Sequence, residues 1–379
     1  MKIRDVKTYV LRAELTEAET FAYSQAWYRT RTAMLVEIVT DDGLSGFGEA
    51  YGPAAGTRAI VDELYRPLLL GRDALDSQVL WEELYNALRD YGRKGLPIAA
   101  LSAVDIALWD VKGKALGQPI AKLLGGSFRT SVRAYATGLY RRRVPDVAAA
   151  LAQEARGYVA EGFRAMKLKV GFGVEEDVRN VRAVREAIGP DVRLMVDANH
   201  AYDSAQAIRL GRLIERHDIG WFEEPVVPED IDGYVQVKQA LAIPIAGGEA
   251  EYTRYGFREL LARRAVDIAQ PDICACGGFS EALKIGTLAS TWGVTWYPHV
   301  WGSAVGLFAS LQLAAAIPPN PPALFATELL FELDRTPNPF RETLAVTPPV
   351  RRGDVIEIPA KPGLGLEVDR DVLKRYAVA

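Results

Sequence analysis

The sequence predicts an α/β fold, a β/α barrel of eight strands and seven helices that follows a smaller α+β domain. Three observations predict it. From residue 132 onward, short apolar runs alternate with helix-like segments. The repeat is close to the roughly 30 residues that a parallel strand, a crossover helix and two short loops require. Successive runs end in polar or charged residues, Lys169, Asp197, Glu223, Glu249, Asp272, His299 and Glu328. Before about residue 125 this alternation is absent; strands come first and helices after, the pattern of an α+β unit.

Taken in order, residues 3–12 and 33–40 read as strands, with Asp41-Asp42-Gly43 turning the chain into a third at 44–49. Helices are expected at about 56–70, 77–91 and 98–116, the last carrying apolar residues at helical spacing. Gly117-Gln118-Pro119 ends it, and Leu124-Gly125-Gly126 reads as a linker. Domain boundaries are therefore expected at 1–126, 127–330 and 331–379. The first barrel strand is placed at 132–137, the second at 164–170 and the eighth at 324–329. Beyond it the alternation stops, residues 355–358 read as a strand, and the tail is expected to pack back on the first domain.

The chain has 379 residues, too many for one core of ordinary size. It is 49% hydrophobic and 25% charged with a net charge of −4, and its longest basic run is Arg141-Arg142-Arg143, so no nucleic-acid footprint is visible. Cys274 and Cys276 are too close for an ordinary disulfide, which points to a reducing compartment, the cytoplasm. No signal-peptide core follows the N-terminus, and the longest apolar segment, 304–317, is too short to span a membrane.

Strands that close a barrel point their C-terminal ends at one face, where polar residues at those ends converge. Asp197, Glu223 and Glu249 stand at steps of 26 residues. Any one of them alone is an ordinary helix cap. Three together repel unless a cation joins them, and hard oxygen ligands favour Mg²⁺. Lys167 and Lys169 share one face of the second strand. Two adjacent ammonium groups are expected to depress each other's pKa and yield an amine base near pH 7. Asp272 and His299 end neighbouring strands and suit a carboxylate-oriented imidazole. Glu328 is expected to donate a hydrogen bond to a substrate carboxylate, with a plain salt bridge as the alternative. Asn199 shares a face with Asp197. His200 points away from it if the strand continues and enters the site only if a loop turns it in. Together these parts suit removal of the proton α to a carboxylate, with a cation neutralising the charge that develops.

This set resembles the enolase superfamily and, within it, the mandelate racemase subgroup. The resemblance implies a modified TIM barrel, (β/α)7β, with an N-terminal capping domain. It implies one Mg²⁺ on Asp197, Glu223 and Glu249. Lys169 is implied as one base with Lys167 beside it, His299 with Asp272 as the other, and Glu328 as the acid. Further phrases, among them Gly171-Phe172-Gly173-Val174-Glu175-Glu176-Asp177 and Asp197-Ala198-Asn199-His200, resemble the D-galactarolactone cycloisomerase branch. The implied ligand is a small sugar acid or sugar lactone, and the implied assembly a homo-oligomer, dimer or octamer. The expected reaction is dehydration of a sugar acid; cycloisomerisation of an aldarolactone is the close alternative, and racemisation or epimerisation the third. A non-catalytic sugar-acid binding protein is the alternative of a different class. Asn199, His200, Tyr23 and Trp301 are the expected substrate contacts. Capping loops at 16–31 and 49–55 are expected to set specificity, with Arg29 and Arg31 available for a distal carboxylate.

Overall fold

A computed structural model describes residues 1–378. The first domain is an antiparallel sheet in which Ile3–Glu14 pairs with Thr30–Thr40, and Thr30–Thr40 with Ser45–Ala50. The helix Leu96–Ala115 lies against Ser45–Ala50. Its approach explains two glycines: a Cβ on Gly46 would stand 2.3 Å from the Ala107 carbonyl oxygen, and one on Gly48 would stand 1.9 Å from that of Ala103. Any side chain there would drive helix and sheet apart. The expected strands are present. The segment expected as one helix at 56–70 is the helix Ala54–Ile60, a π turn Val61–Tyr65 and a short helix Arg66–Leu69.

The barrel strands are Ser131–Thr137, Ala165–Lys169, Arg193–Asp197, Ile219–Glu223, Ile245–Gly247, Ile268–Ala269, Thr295–Trp296 and Leu330–Asp334. The first seven are paired in parallel in sequence order, and the eighth pairs with the first in the register Leu330↔Arg133. Between strands, amphipathic helices such as Val174–Ile188 and Ser204–Ile214 bury one face on the sheet.

The eighth strand lies later than the sequence suggests. Residues 324–329 were expected to form it, but Leu324 and Phe325 are each 92% exposed. All five residues of Leu330–Asp334 are buried. The apolar pair at 324–325 mimics a strand start, and the proline-rich run before it keeps that segment on the surface. The barrel thus continues past the boundary expected at residue 330. Much of the tail packs on the first domain: the Leu364 N–H donates to Asp110 (2.8 Å), Arg370 pairs with Glu37 (2.6 Å), and Ala377–Val378 pairs with Ile3–Glu14, while Val355–Glu357 adds antiparallel to the first barrel strand. Among the described residues, no helix is long and apolar enough to cross a membrane.

Candidate active site

Strand register assembles the site. Lys169, Asp197 and Glu223 are the last residues of the second, third and fourth barrel strands, and they stand opposite one another across the ladders. Glu249 follows the fifth strand by two residues, and a lone parallel bridge pairs Asp272 with His299 beyond the sixth and seventh. One oxygen from each of Asp197, Glu223 and Glu249 lies within 4.8 Å of the others. Oε2 of Glu249 is buried and receives no hydrogen bond, although Nε2 of His299 is 3.2 Å away. Three clustered carboxylates with a free oxygen fit a hard divalent cation.

Both lysines point inward and are buried. Nζ of Lys169 donates to Asp197 (2.5 Å) and to Oδ1 of Asn199 (3.0 Å). Nζ of Lys167 lies 2.5 Å from Glu223, 2.9 Å from Glu332 and 3.4 Å from Asp197. The pairwise lowering of their pKa values expected from sequence is not what this geometry produces. Burial does work against each charged form, but the carboxylates outweigh both burial and the lysines' mutual repulsion, so Lys167 and Lys169 are raised. Burial likewise opposes ionisation of Asp197, yet the two lysines hold it below the ordinary carboxylate range. Burial, with Asp197, Glu332 and Glu249 nearby, pushes Glu223 up to about 7 against the pull of Lys167. Trp221 and Gln270 also donate to Glu223, at 2.8 and 2.7 Å.

Nδ1 of His299 is 2.6 Å from Asp272, which is itself fixed by the backbone N–H of Cys274. Burial disfavours the imidazolium, but Glu249, Glu332 and the bond to Asp272 raise its pKa to about 10. Burial raises the pKa of Asp272.

Glu328 is not part of this site. It is 65% exposed at the side chain and pairs with Arg133 at 2.6 Å, because the eighth strand begins after it. The carboxylate that the eighth strand does bring in is Glu332. It accepts from Thr137 (2.6 Å) and from the backbone N–H of Val300 (2.8 Å). Burial would raise its pKa, but Lys167 and His299 lower it, so it is an ionised partner of those two bases and not a protonated donor. An acid in the middle of the apolar run Leu330-Phe331-Glu332-Leu333 was the available signal.

His200 does reach the site. Asn199 and His200 have φ of 43° and 68°, so the chain turns in the left-handed region two residues past Asp197, which ends the strand. The turn brings Nε2 of His200 to 3.1 Å from Glu224, a buried carboxylate. Burial, then the charges of Glu249, Asp197 and Glu223, raise the pKa of Glu224 well above the ordinary range. The capping loop closes over this turn: Ser24 donates to the carbonyl of Ala198 (2.8 Å), and Gln25 to that of Asn199 (2.9 Å).

A hollow of about 210 Å³ lies between loop and barrel, and Lys169, His299, Asn199, His200, Tyr23 and Trp301 are all on its wall. Tyr28, Tyr51 and Tyr140 complete an aromatic surround. A larger hollow of about 980 Å³, walled by Arg89, Lys94 and Glu259 among others, lies outside the carboxylate cluster. Arg29 and Arg31 line neither. Arg29 is exposed, and Arg31 is buried behind Trp301, 4.3 Å from its ring, with Asp334 as its ion-pair partner at 2.8 Å.

The chain is similar to known proteins over essentially its whole length. Residues 6–125 match the family described as mandelate racemase / muconate lactonizing enzyme, N-terminal domain, and residues 150–372 match enolase C-terminal domain-like. The chain is 49% identical over 380 residues to a D-galactarolactone cycloisomerase of Agrobacterium fabrum, with 99% of each chain covered. It is 37% identical over 379 residues to an arabinonate dehydratase of Saccharolobus solfataricus, again with 99% of each covered. The crystal structure of a 3,6-anhydro-D-galactonate cycloisomerase from Zobellia galactanivorans superposes with a TM-score of 0.91 at 44% identity over the whole of both chains.

Proposed function

This chain belongs to the mandelate racemase and muconate lactonizing enzyme family of the enolase superfamily, and from that premise we propose that it is a Mg²⁺-dependent enzyme that opens the ring of a sugar-acid lactone or anhydro sugar acid by β-elimination. The observation that carries the reading is the placement of Lys169 and His299 on one hollow beside three clustered carboxylates. Asp197, Glu223 and Glu249 would hold the cation, which when bound polarises a carboxylate and neutralises charge gathering on it.

The chain's own residues do the rest. Lys169, at the end of the second strand, and His299, beyond the seventh, are the two bases; a cation held by Asp197, Glu223 and Glu249 would draw off the carboxylate charge that raises both, and the configuration at the α-carbon decides which one takes its proton. The C–H electrons pass into the carboxylate, giving an enediolate. Collapse of that species breaks the C–O bond at the β-carbon; the ring oxygen of an anhydro sugar departs as a hydroxyl with a proton from the opposite group, and that of a lactone departs as a carboxylate. The resulting enol tautomerises to a 2-keto-3-deoxy acid of unchanged mass. Asp272 fixes the imidazole tautomer through Nδ1 and leaves Nε2 for the substrate. Glu332 takes the place that sequence analysis gave to Glu328, but as a charge partner of Lys167 and His299. Asn199 and His200 orient the substrate's hydroxyl groups.

Dehydration, which the sequence alone put first, uses the same α-proton removal with hydroxide leaving in place of a ring oxygen. The arabinonate dehydratase relative supports it as the second reading. Ring opening is placed ahead because two cycloisomerase relatives, at 49% and 44% identity, are more similar than the arabinonate dehydratase, at 37%. Mass spectrometry of the products from a panel of aldonates, aldarates and their lactones with MgCl₂ tests the choice. A product isomeric with a lactone supports ring opening. A product lighter by one water, formed from an open acid only, supports dehydration instead.

A further inference from the structure

Resting on that reading, we propose that the site takes a monoanionic substrate whose only charge is the carboxylate beside the α-carbon, that the remainder is a neutral hydroxyl-bearing ring or chain, and that open dicarboxylic sugar acids, the ring-opened product of an aldarolactone among them, are held weakly.

The wall of the hollow carries this. Away from the metal-ligand cluster it is built from Tyr23, Gln25, Tyr28, Tyr51, Tyr252 and Trp301, all neutral hydrogen-bonding or aromatic groups. Among the described residues on that wall, the basic ones are Lys169, His299 and His200. None is free for a distal group: the proposed reaction commits Lys169 and His299 to the α-carbon, with Asp272 behind His299, and His200 is matched by Glu224. The two arginines of the capping loop that could have met a distal carboxylate are turned away from it. Arg31 lies on the other side of Trp301, on the wall of a separate hollow of about 300 Å³ that also holds buried Glu49. Its Nη1 has no hydrogen-bond partner, but Trp301 stands between the guanidinium and the site.

A second carboxylate would therefore be stripped of water against tyrosines and an amide, with Glu249 and Glu332 on the same hollow, and no unmatched cation to receive it. Two further atoms indicate what the wall does accept. Nε1 of Trp301 and Nδ1 of His200 are buried on residues of this wall and have no hydrogen-bond partner in the protein. An indole N–H donates only, and suits a hydroxyl, ring or carbonyl oxygen; the imidazole nitrogen suits a hydroxyl. A site that pairs such atoms with neutral oxygens discriminates sharply against ligands that leave them unpaired.

The test compares two open acids of equal length and configuration, a hexonate and the corresponding hexarate. Their binding to the full-length, Mg²⁺-loaded protein is measured by calorimetry and, where a lactone is converted, as inhibition of that conversion. The hexarate is expected to bind at least tenfold more weakly, although it offers two carboxylates to the cation. A hexarate that binds within tenfold of the hexonate, or more tightly, overturns the proposal. Calorimetry reads this even if no lactone turns over, so failure of the proposed reaction and failure of the charge selection are separate results. Absence of binding by both acids would contradict both. Gln25→Arg places a cation on the neutral wall and is expected to narrow the ratio by tenfold or more; an unchanged ratio would show that the wall's neutrality is not its cause.

Discussion

Nδ1 of His299 lies 2.6 Å from Oδ2 of Asp272, and Nε2 of the same ring lies 3.2 Å from Oε2 of Glu249. One nitrogen is thus committed to orientation while the other faces the carboxylate cluster. Asp272→Asn keeps the shape but offers an amide in place of a carboxylate, so the ring loses the partner that fixes its tautomer. We expect kcat to fall roughly 10²–10⁴-fold, the range of a general acid–base contribution. Circular dichroism should remain that of the parent. A kcat within threefold of the parent would show that the pair does not orient a catalytic base.

Glu328 and Glu332 make a matched pair of controls. Glu332→Gln removes a charge that sits on both Lys167 and His299, and should lower kcat by at least about 10²-fold. Glu328→Gln breaks only the half-exposed pair with Arg133, and exposed pairs contribute about 0–1 kcal/mol, so activity should stay within twofold. Steady-state kinetics on both variants settles which residue serves the site; the reverse ranking would reject the assignment of Glu332.

Asp197, Glu223 and Glu249 repel one another, and a cation held between them would relieve that repulsion. Mg²⁺ should therefore raise the melting temperature. Binding to the folded state alone stabilises by about 2.7 kcal/mol when the ion is at 100 times its Kd. Differential scanning fluorimetry with and without EDTA measures the shift, and Asp197→Asn should abolish most of it. A parent protein whose melting point ignores Mg²⁺ would contradict the assignment of these three residues.

Asp105 supplies a pH prediction away from the chemistry. It lies in the capping helix Leu96–Ala115 and accepts from the backbone N–H (3.0 Å) and hydroxyl (2.6 Å) of Ser280, at the start of the barrel helix Gly278–Thr291. Burial pushes its pKa up to about 7 from 3.8, outweighing those hydrogen bonds. A carboxyl raised on folding is fully stabilising below its unfolded pKa. That contribution is lost as pH rises through the window up to about 7, because the unfolded chain ionises first. The slope is at most about 1.4 kcal/mol per pH unit. Asp105→Asn should remove the loss, so urea denaturation of parent and variant should diverge between pH 5 and pH 7.5 in the variant's favour. Parallel curves would show that Asp105 ionises normally in the folded protein.

Much of this architecture is legible in the sequence for one reason. Lys169, Asp197 and Glu223 each terminate an apolar run, and a barrel carries all such termini to one face. The eighth strand was misplaced because Leu324-Phe325 is as apolar as Leu330-Phe331, and only tertiary pairing with Ser131–Thr137 distinguishes them. That error of a few residues exchanged Glu332 for Glu328. The raised lysines were beyond sequence reasoning for another reason: their pKa depends on the distances from Nζ to Asp197, Glu223 and Glu332, which no spacing rule gives. The entry of His200 depends on the two left-handed residues after Asp197, a conformation the dipeptide Asn-His permits but does not announce.

The proposed chemistry is α-proton removal by Lys169 and His299. It is tested most directly by proton NMR in D₂O, following the α-proton of each sugar acid and lactone with the Mg²⁺-loaded enzyme. This signal should be lost from at least one compound with the parent enzyme, and the loss should slow by at least 10²-fold in both Lys169→Ala and His299→Ala while both variants remain folded. An α-proton signal that persists in every compound, or is lost at the parent rate in both variants, would contradict it.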